Sequence, residues 1–256
     1  MSKLSAEYKF LDFSDYGRPI GKFIAKRFKN TSVTPIHVTW MFIFSALIAV
    51  FCIFQGYYKS AAFFILLKSG IDAADGELAR LKNTPSYTGR YFDSVSDSIL
   101  NLIFFFTFAS VTSTSYFVAF IAFLCCQMQG TLYNFYYVIL RNKTFKGDTT
   151  SRIFENKIPE ALPGESQKNV NFIFRLYVIL YGGFDWIIYK LDKSASKIRT
   201  VPKWFMTFVS IYGLGFQLLI MALFLAIDLK EYIVLFFIIY SFFILLFIGL
   251  RKILLS

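Results

Sequence analysis

The sequence SAAFFILLKSGIDAADGELARL occupies residues 60–81, and the sequence YFDSVSDSILNLIFFFTFASV occupies residues 91–111. Both stretches are mostly apolar and have the ~20 residues with which an α-helix crosses a hydrocarbon core of ~30 Å. The connection 82–90 is short, so we expect the two helices to be antiparallel neighbours. Each helix nevertheless carries aspartates, and carboxylates inside a membrane span are costly enough to be functional candidates by default.

Apolar stretches of similar length recur along the rest of the chain. Hydrophobic residues make up 56% of the 256 residues, which is more than a soluble domain usually carries. The six predicted spans are Ile36–Tyr57, Ser60–Leu81, Tyr91–Val111, Tyr116–Leu140, Phe205–Ile227 and Tyr232–Leu250. The sequence therefore predicts an all-α, polytopic membrane protein with six transmembrane helices.

The basic residues are distributed unevenly around these spans. Cytoplasmic loops collect Lys and Arg. With six spans and both termini inside, all but Lys59, Lys68 and Lys230 of the 27 basic residues lie on the cytoplasmic side. A seventh span at Val170–Leu191 would turn a basic cluster outward, so we expect an amphipathic helix there, within an interfacial segment 141–203. The net charge of +11 thus indicates a membrane topology and not a nucleic-acid partner.

The first part of the chain is basic and of mixed polarity, and we treat 1–35 as a segment that precedes the membrane domain 36–256. Tyr8–Lys29 can form an amphipathic helix on the cytoplasmic membrane surface. The alternative is a partly disordered basic tail. The side chains that would face lipid are Tyr8, Phe10, Leu11, Phe13, Ile20, Phe23 and Ile24.

Four aspartates lie close together along the second and third predicted spans. Asp72 and Asp75 share one helix face, as do Asp93 and Asp97, so antiparallel packing brings all four to one site in the cytoplasmic half of the membrane. Like charges this close repel strongly, and divalent cations would neutralise them. Carboxylate oxygens suit Mg²⁺, with Mn²⁺ possible, and the sequence has no His or Cys cluster for zinc. We therefore predict two divalent ions.

A proton or cation pathway is the alternative interpretation of these buried acids. The residues around them favour a larger ligand. Gly76, Ala79 and Gly89 lack bulk, so a ligand can approach the backbone closely. Arg80 follows directly and can contact a phosphate. An ion pathway needs none of these features.

In full, the motif from Asp72 to Asp97 is D-x2-D-G-x2-A-R-x8-G-x3-D-x3-D. It resembles the signature of the CDP-alcohol phosphotransferase family without a gap or a substitution. The resemblance implies a phospholipid-biosynthesis enzyme that transfers a phosphoalcohol group from a CDP-linked donor to a hydroxyl acceptor and releases CMP. It also implies a homodimer whose site opens to the cytoplasm, and six spans are the family's usual architecture.

Carried onto this sequence, the resemblance implies a role for each motif residue. The metal ligands would be Asp72, Asp75, Asp93 and Asp97. Asp97 would also be the general base that takes the proton from the acceptor hydroxyl. The cytidine diphosphate site would be lined by Gly76, Ala79 and Arg80, with Gly89 allowing close helix approach. Lys68, one turn before Asp72, would contact the donor phosphates or offset the carboxylate charge.

The chain departs from the family pattern at the first span. Family members often carry Thr-Pro-Asn-x-x-Thr there, whereas residues 34–39 are TPIHVT, with Ile36 at the Asn position. Thr34 or His37 would have to supply the missing nucleotide contact. For His37 we favour a simpler role as a cap of the first helix.

The substrates are less well defined by the sequence. Residues 92–98 are FDSVSDS and differ from the L-D-P-x-A-D-K form typical of phosphatidylglycerophosphate synthases. Phosphatidyl transfer from a donor such as CDP-diacylglycerol is the first interpretation. Choline- or ethanolamine-type transfer from a soluble CDP-alcohol to diacylglycerol is the alternative. Candidates for binding a phosphorylated acceptor, unless they are only the ordinary basic fringe, are Arg90, Arg141, Lys143 and Arg152.

Overall fold

The computed structural model of the chain describes Leu4 and residues 6–144, 155–198 and 201–254. These residues form α-helices joined by turns, short 3-10 helices and the irregular segment 155–166, and the described part of the chain contains no strand. The helices are α1 (Arg18–Phe28), α2 (Pro35–Phe54), α3 (Tyr58–Lys82), α4 (Tyr87–Thr112), α5 (Tyr116–Thr144), α6 (Gln167–Leu191), α7 (Lys203–Val209), α8 (Leu214–Ala226), α9 (Ile233–Tyr240) and α10 (Phe243–Leu254). The predicted all-α fold is confirmed.

Helices α2 to α5 run up and down through the bundle, and local signals set their ends. Asn83 adopts φ 52° and ends α3 in the left-handed region. Ser86 then caps α4, its hydroxyl accepting a hydrogen bond from the Gly89 N–H at 2.8 Å. The tight turn between them reverses the chain. We call the end of the bundle where α3 meets α4 the site end, and the end where α2 meets α3 the far end.

Within the described residues, five helical stretches are long and apolar enough to cross a membrane, namely Pro35–Phe54, Tyr87–Thr112, Tyr116–Asn142, Gln167–Leu191 and Lys230–Leu254. Helix α3 is missing from this set because its second half carries the charged motif residues. It nevertheless returns alongside α2: the Ser45 hydroxyl donates to the Phe64 carbonyl at 2.9 Å, and Lys82 Nζ donates to the Val33 carbonyl at 2.7 Å. Because α2 leads to the far end, α3 has to cross back.

The predicted span Phe205–Ile227 is broken in the structure. The segments Lys203–Tyr212 and Leu214–Ala226 are bent by 50° at Gly213, and they count as one further span only if taken together. The chain near Ser14 packs into this break, because a Cβ on Gly213 would lie 2.4 Å from the Ser14 side chain. The N-terminal segment thus lies directly against the bend.

Helix α6 has the length and hydropathy of a span, although the distribution of charge predicts an interfacial helix. Hydrogen bonds at its two ends show which part of the bundle each end contacts. Just before α6, Glu165 accepts a hydrogen bond from the Thr88 N–H at the start of α4. Just after α6, Asp192 accepts hydrogen bonds from Tyr136 and from Arg251, both at 2.7 Å. Both ends of α6 therefore contact the site end of the bundle.

The N-terminal segment is more closely attached to the bundle than the sequence predicts. Its helix α1 lies against α3, where a Cβ on Gly17 would come within 2.7 Å of the Ser69 carbonyl and one on Gly21 within 2.7 Å of Ala73. The prediction that its apolar side chains all face lipid is wrong for Tyr8, Phe10 and Ile24, which pack against the hydrophobic core. Others remain exposed, among them Leu11, Phe13, Ile20 and Phe23. Two glycines four residues apart allow this close contact.

Candidate active site

Three of the four predicted acids come together between α3 and α4. Asp72, Asp75 and Asp93 each place a carboxylate oxygen within 4.8 Å of the other two. The spacing of the motif puts the first two on one face of α3, and the first turns of α4 bring the third opposite them. The site lies in the half of the bundle nearest the site end.

The donor set of this group fits a divalent cation. Asp93 Oδ1 is buried and has no hydrogen-bond partner among the described residues. A buried carboxylate oxygen without a donor is costly unless a cation compensates it. Asp75 is oriented from both sides, since Oδ2 accepts from the Thr39 hydroxyl at 3.3 Å and Oδ1 accepts from the Gly76 N–H. Oxygen ligands of this kind match Mg²⁺ or Mn²⁺.

The fourth acid, Asp97, is bound differently. Lys68 Nζ donates to Asp97 Oδ1 and, at 2.9 Å, to Asp72 Oδ2. The Lys68 side chain is only 1% exposed, and its ammonium also lies 4.6 Å from the centre of the Phe42 ring. Of the two roles predicted for Lys68, the structure shows contacts suited to offsetting the carboxylate charge.

Arg80, the predicted phosphate-contacting residue, lies one turn beyond Gly76 on α3. Its Nη2 is 3.1 Å from Glu77 Oε1, and Arg18 Nη1 is 3.4 Å from the same oxygen. A Cβ on Gly76 would meet only the Arg80 guanidinium, at 3.5 Å. The helix surface at Gly76 and half-buried Ala79 is therefore open, and the Arg80 guanidinium lies beside it.

Thr34 and His37 at the start of α2 bind each other. Thr34 and His37 form a capping box, in which the Thr34 hydroxyl accepts from the His37 N–H at 3.3 Å and His37 Nδ1 accepts from the Thr34 N–H at 3.1 Å. His37 is thus a cap, as we favoured. A Cβ on Gly89 would lie 3.2 Å from the Ser86 hydroxyl but at an ordinary contact distance of 3.9 Å from the Ile36 side chain, so its tight neighbour is the cap of its own helix.

Sequence reasoning missed Thr39, the residue of this element that reaches the site. Its hydroxyl donates to Asp75 Oδ2 at 3.3 Å and to the Pro35 carbonyl at 3.3 Å. The signal was present, since Thr39 is the last Thr of the Thr-Pro-Asn-x-x-Thr element.

Two glutamates from the segment before α6 bind the start of α4. Glu155 Oε2 accepts from Arg90 Nη2 and from the Tyr91 hydroxyl, each at 2.6 Å. Glu165 accepts from the backbone N–H groups of Tyr87 at 3.0 Å and Thr88 at 2.7 Å. Burial opposes ionisation of Glu165, but these N–H groups hold its pKa below the ordinary value. No sequence signal linked these glutamates to α4.

The predicted acceptor-binding residues are only partly described. Arg141 lies close enough to Arg80 and Arg90 for their charges to interact, so basic side chains gather near the site. The side chain of Lys143 and all of Arg152 lie outside the described residues. The polar residues of α5 form contacts between helices, as when Gln127 Nε2 donates to the Ser98 hydroxyl at 2.8 Å.

A bundle of membrane helices with a carboxylate group for a divalent cation and arginines beside it defines a class of membrane enzymes that act on phosphate esters. A family model, CDP-alcohol phosphatidyltransferase, matches residues 32–162. The chain belongs to this family, and its general activity is transfer of a phosphoalcohol group from a CDP-alcohol. No curated protein and no solved structure gives a significant match. The matched region covers α2 to α5 and therefore the whole motif.

Proposed function

We propose that the protein transfers a phosphatidyl group from a donor such as CDP-diacylglycerol to a hydroxyl acceptor and releases CMP. The observation that carries this proposal is the meeting of Asp72, Asp75 and Asp93 within 4.8 Å, from two helices of the family motif. Choline- or ethanolamine-type transfer to diacylglycerol uses the same residues and is the second candidate for the substrates.

The chain's own residues divide the work of the reaction. Asp72, Asp75 and Asp93 would hold Mg²⁺, which supplies charge stabilisation at the diphosphate and at the departing CMP. Arg80 binds a donor phosphate, and the open surface at Gly76 and Ala79 receives the nucleotide. Asp97 takes the proton of the acceptor hydroxyl. The acceptor oxygen then forms a bond to the phosphorus distal to cytidine, and the bond from that phosphorus to CMP breaks.

The orientation and assembly of the protein belong to the same proposal. Basic residues at the site end, such as Arg80, Lys82 and Arg90, support a site that faces the cytoplasm. Exposed apolar side chains on the spans, including Phe44 and Phe63, support contact with membrane lipid. We also carry forward the homodimer implied by the family, which cross-linking in native membranes tests.

A cation or proton pathway is the principal candidate from another class. The family match and the position of Arg80 beside the open surface at Gly76 favour the transferase, because an ion pathway requires neither. The two functions differ in their products. A transferase releases CMP, whereas a transporter carries ions across a sealed vesicle without consuming a nucleotide.

The deciding experiment incubates purified protein with Mg²⁺, CDP-diacylglycerol or CDP-choline, and a panel of hydroxyl acceptors, and measures CMP. We expect acceptor-dependent CMP release with one donor class. Asp93→Asn should abolish it, whereas the matched control Asp228→Asn, at an exposed carboxylate of the far end, should not. Ion flux in proteoliposomes with no CMP release from any donor would contradict the proposal.

A further inference from the structure

The four motif acids are not equivalent in their surroundings. Three of them, Asp72, Asp75 and Asp93, form the close group that can share one cation. Asp97 lies outside that group and is bound to the ammonium of Lys68. The cluster is therefore divided into a set of oxygens for a metal ion and an ion pair with a lysine.

Lys68 lies between the acids that a second cation would join. Its Nζ donates hydrogen bonds to Asp97 Oδ1 on α4 and to Asp72 Oδ2 on α3, so the ammonium already links these two carboxylates. The lysine is on α3 one turn before Asp72, so its reach to α4 is fixed by the helix that carries the metal ligands. It joins the two helices as a bridging ion would.

The burial of Lys68 prevents it from giving up this position easily. Its side chain is 1% exposed, and the Phe42 ring lies 4.6 Å from Nζ. An ammonium displaced from both carboxylates would remain in an apolar interior next to a divalent ion. One divalent ion and one ammonium leave the four carboxylates with a single excess negative charge. A second divalent ion would make the cluster positive.

We propose that Lys68 replaces the second metal ion in this protein, so that the substrate-free site binds a single divalent cation at Asp72, Asp75 and Asp93. This inference rests on the proposed function for the identity of the site, and it changes our expectation of two ions. Lys68 also positions Asp97, because it fixes that carboxylate relative to Asp72.

The test counts Mn²⁺ ions on the purified, substrate-free protein by electron paramagnetic resonance. We expect one tightly bound Mn²⁺ per chain with the spectrum of an isolated ion. Lys68→Met removes the ammonium while retaining an unbranched apolar chain, and it should raise the number of bound ions from one to two. Lys59→Met, an exposed lysine of the same helix, is the matched control and should leave the number at one.

The wild-type protein alone can overturn the inference. Two Mn²⁺ ions per chain with a spin-coupled spectrum would do so, whether or not the Lys68 variant folds. A folded Lys68→Met protein that still binds one ion would also contradict it. Failure of the proposed function has a different signature, namely no tight Mn²⁺ site and no CMP release. CMP release together with two ions would overturn only the role assigned to Lys68.

Discussion

Helices α3 and α6 are both 25 residues long. For each helix, hydropathy and tertiary contacts differ on whether it runs through the bundle. Helix α6 meets the hydropathy requirement for a span, and α3 does not. In the structure α3 returns through the bundle beside α2, whereas both ends of α6 contact the site end. Hydropathy and tertiary contacts therefore give different indications for both helices.

The buried charges of α3 are tolerated because they are paired. Lys68 binds Asp72 and Asp97, and Glu77 binds Arg18 and Arg80. Paired charges cost far less to bury than isolated ones. Helix α6 instead leaves most of its apolar residues uncovered by protein, since only 17% of its most apolar 18-residue stretch is buried. Its apolar surface is available to lipid.

The largest effect is expected on activity, from a substitution among the acids beside α3. If the charges around α3 exist for catalysis, Asp97→Asn should lower kcat by about 100- to 10,000-fold, the range for loss of a general base. The protein should still insert in the membrane and elute as a single species in detergent. CMP release and size-exclusion chromatography provide the two measurements. Normal turnover in this variant would remove Asp97 from its proposed role.

A smaller effect is expected where α1 packs on α3 next to the acids. Gly21→Ala places a Cβ 2.7 Å from Ala73, so we expect a loss of about 1–3 kcal/mol in stability, as for overpacked cores. Thermal unfolding in detergent measures it. Gly249→Ala is the matched control, because no atom lies within 4 Å of its added Cβ. Equal melting temperatures for both variants would show that α1 is not tightly docked.

The attachment of α6 to the site end can be weakened at Glu165. Glu165→Gln should cost about 1 kcal/mol near neutral pH, the usual value of an N-terminal cap. Because the pKa of Glu165 is lowered in the folded protein, its contribution is present above the ordinary value of 4.5 and is lost as the pH falls through the lowered pKa. The difference in melting temperature between wild type and variant should shrink accordingly. A difference that grows at low pH would contradict this account.

The position of α6 itself can be tested without changing activity. In a protein whose native cysteines are replaced, Lys168→Cys and Lys193→Cys place exposed thiols near the two ends of α6. A membrane-impermeant reagent should label both from the same side of a sealed vesicle. Lys59→Cys at the far end should be labelled from the opposite side. Labelling of the two α6 positions from opposite sides would make α6 a span.

Much of the site could be predicted because helix periodicity translates spacing directly into geometry. The fixed intervals between Asp72, Asp75 and Asp93 were sufficient to bring these residues together. The role of Lys68 remained open, since spacing places it on the right face without saying which anion it binds. Only the packed structure shows that Asp97 on α4 is within its reach.

The remaining differences arise from contacts distant in sequence. In the sequence, Gly17 and Gly21 indicate that another element approaches α1 closely, but they do not identify that element as α3. The break at Gly213 lies against Ser14, which is far away along the chain. Thr34 is part of the capping box of α2, and the hydroxyl that donates to Asp75 belongs to Thr39. Local pattern identifies such residues as candidates, and tertiary packing decides among them.

The buried pair of Asp192 and Arg251 has a consequence for how the protein is made. The two residues are 59 positions apart, and their side chains are 0% and 2% exposed. A ribosome therefore delivers the carboxylate well before the guanidinium that neutralises it. Until α10 is made, Asp192 has the Tyr136 hydroxyl as a donor but lacks the guanidinium that balances its charge. The last helix therefore supplies the cation that this end of α6 needs for burial.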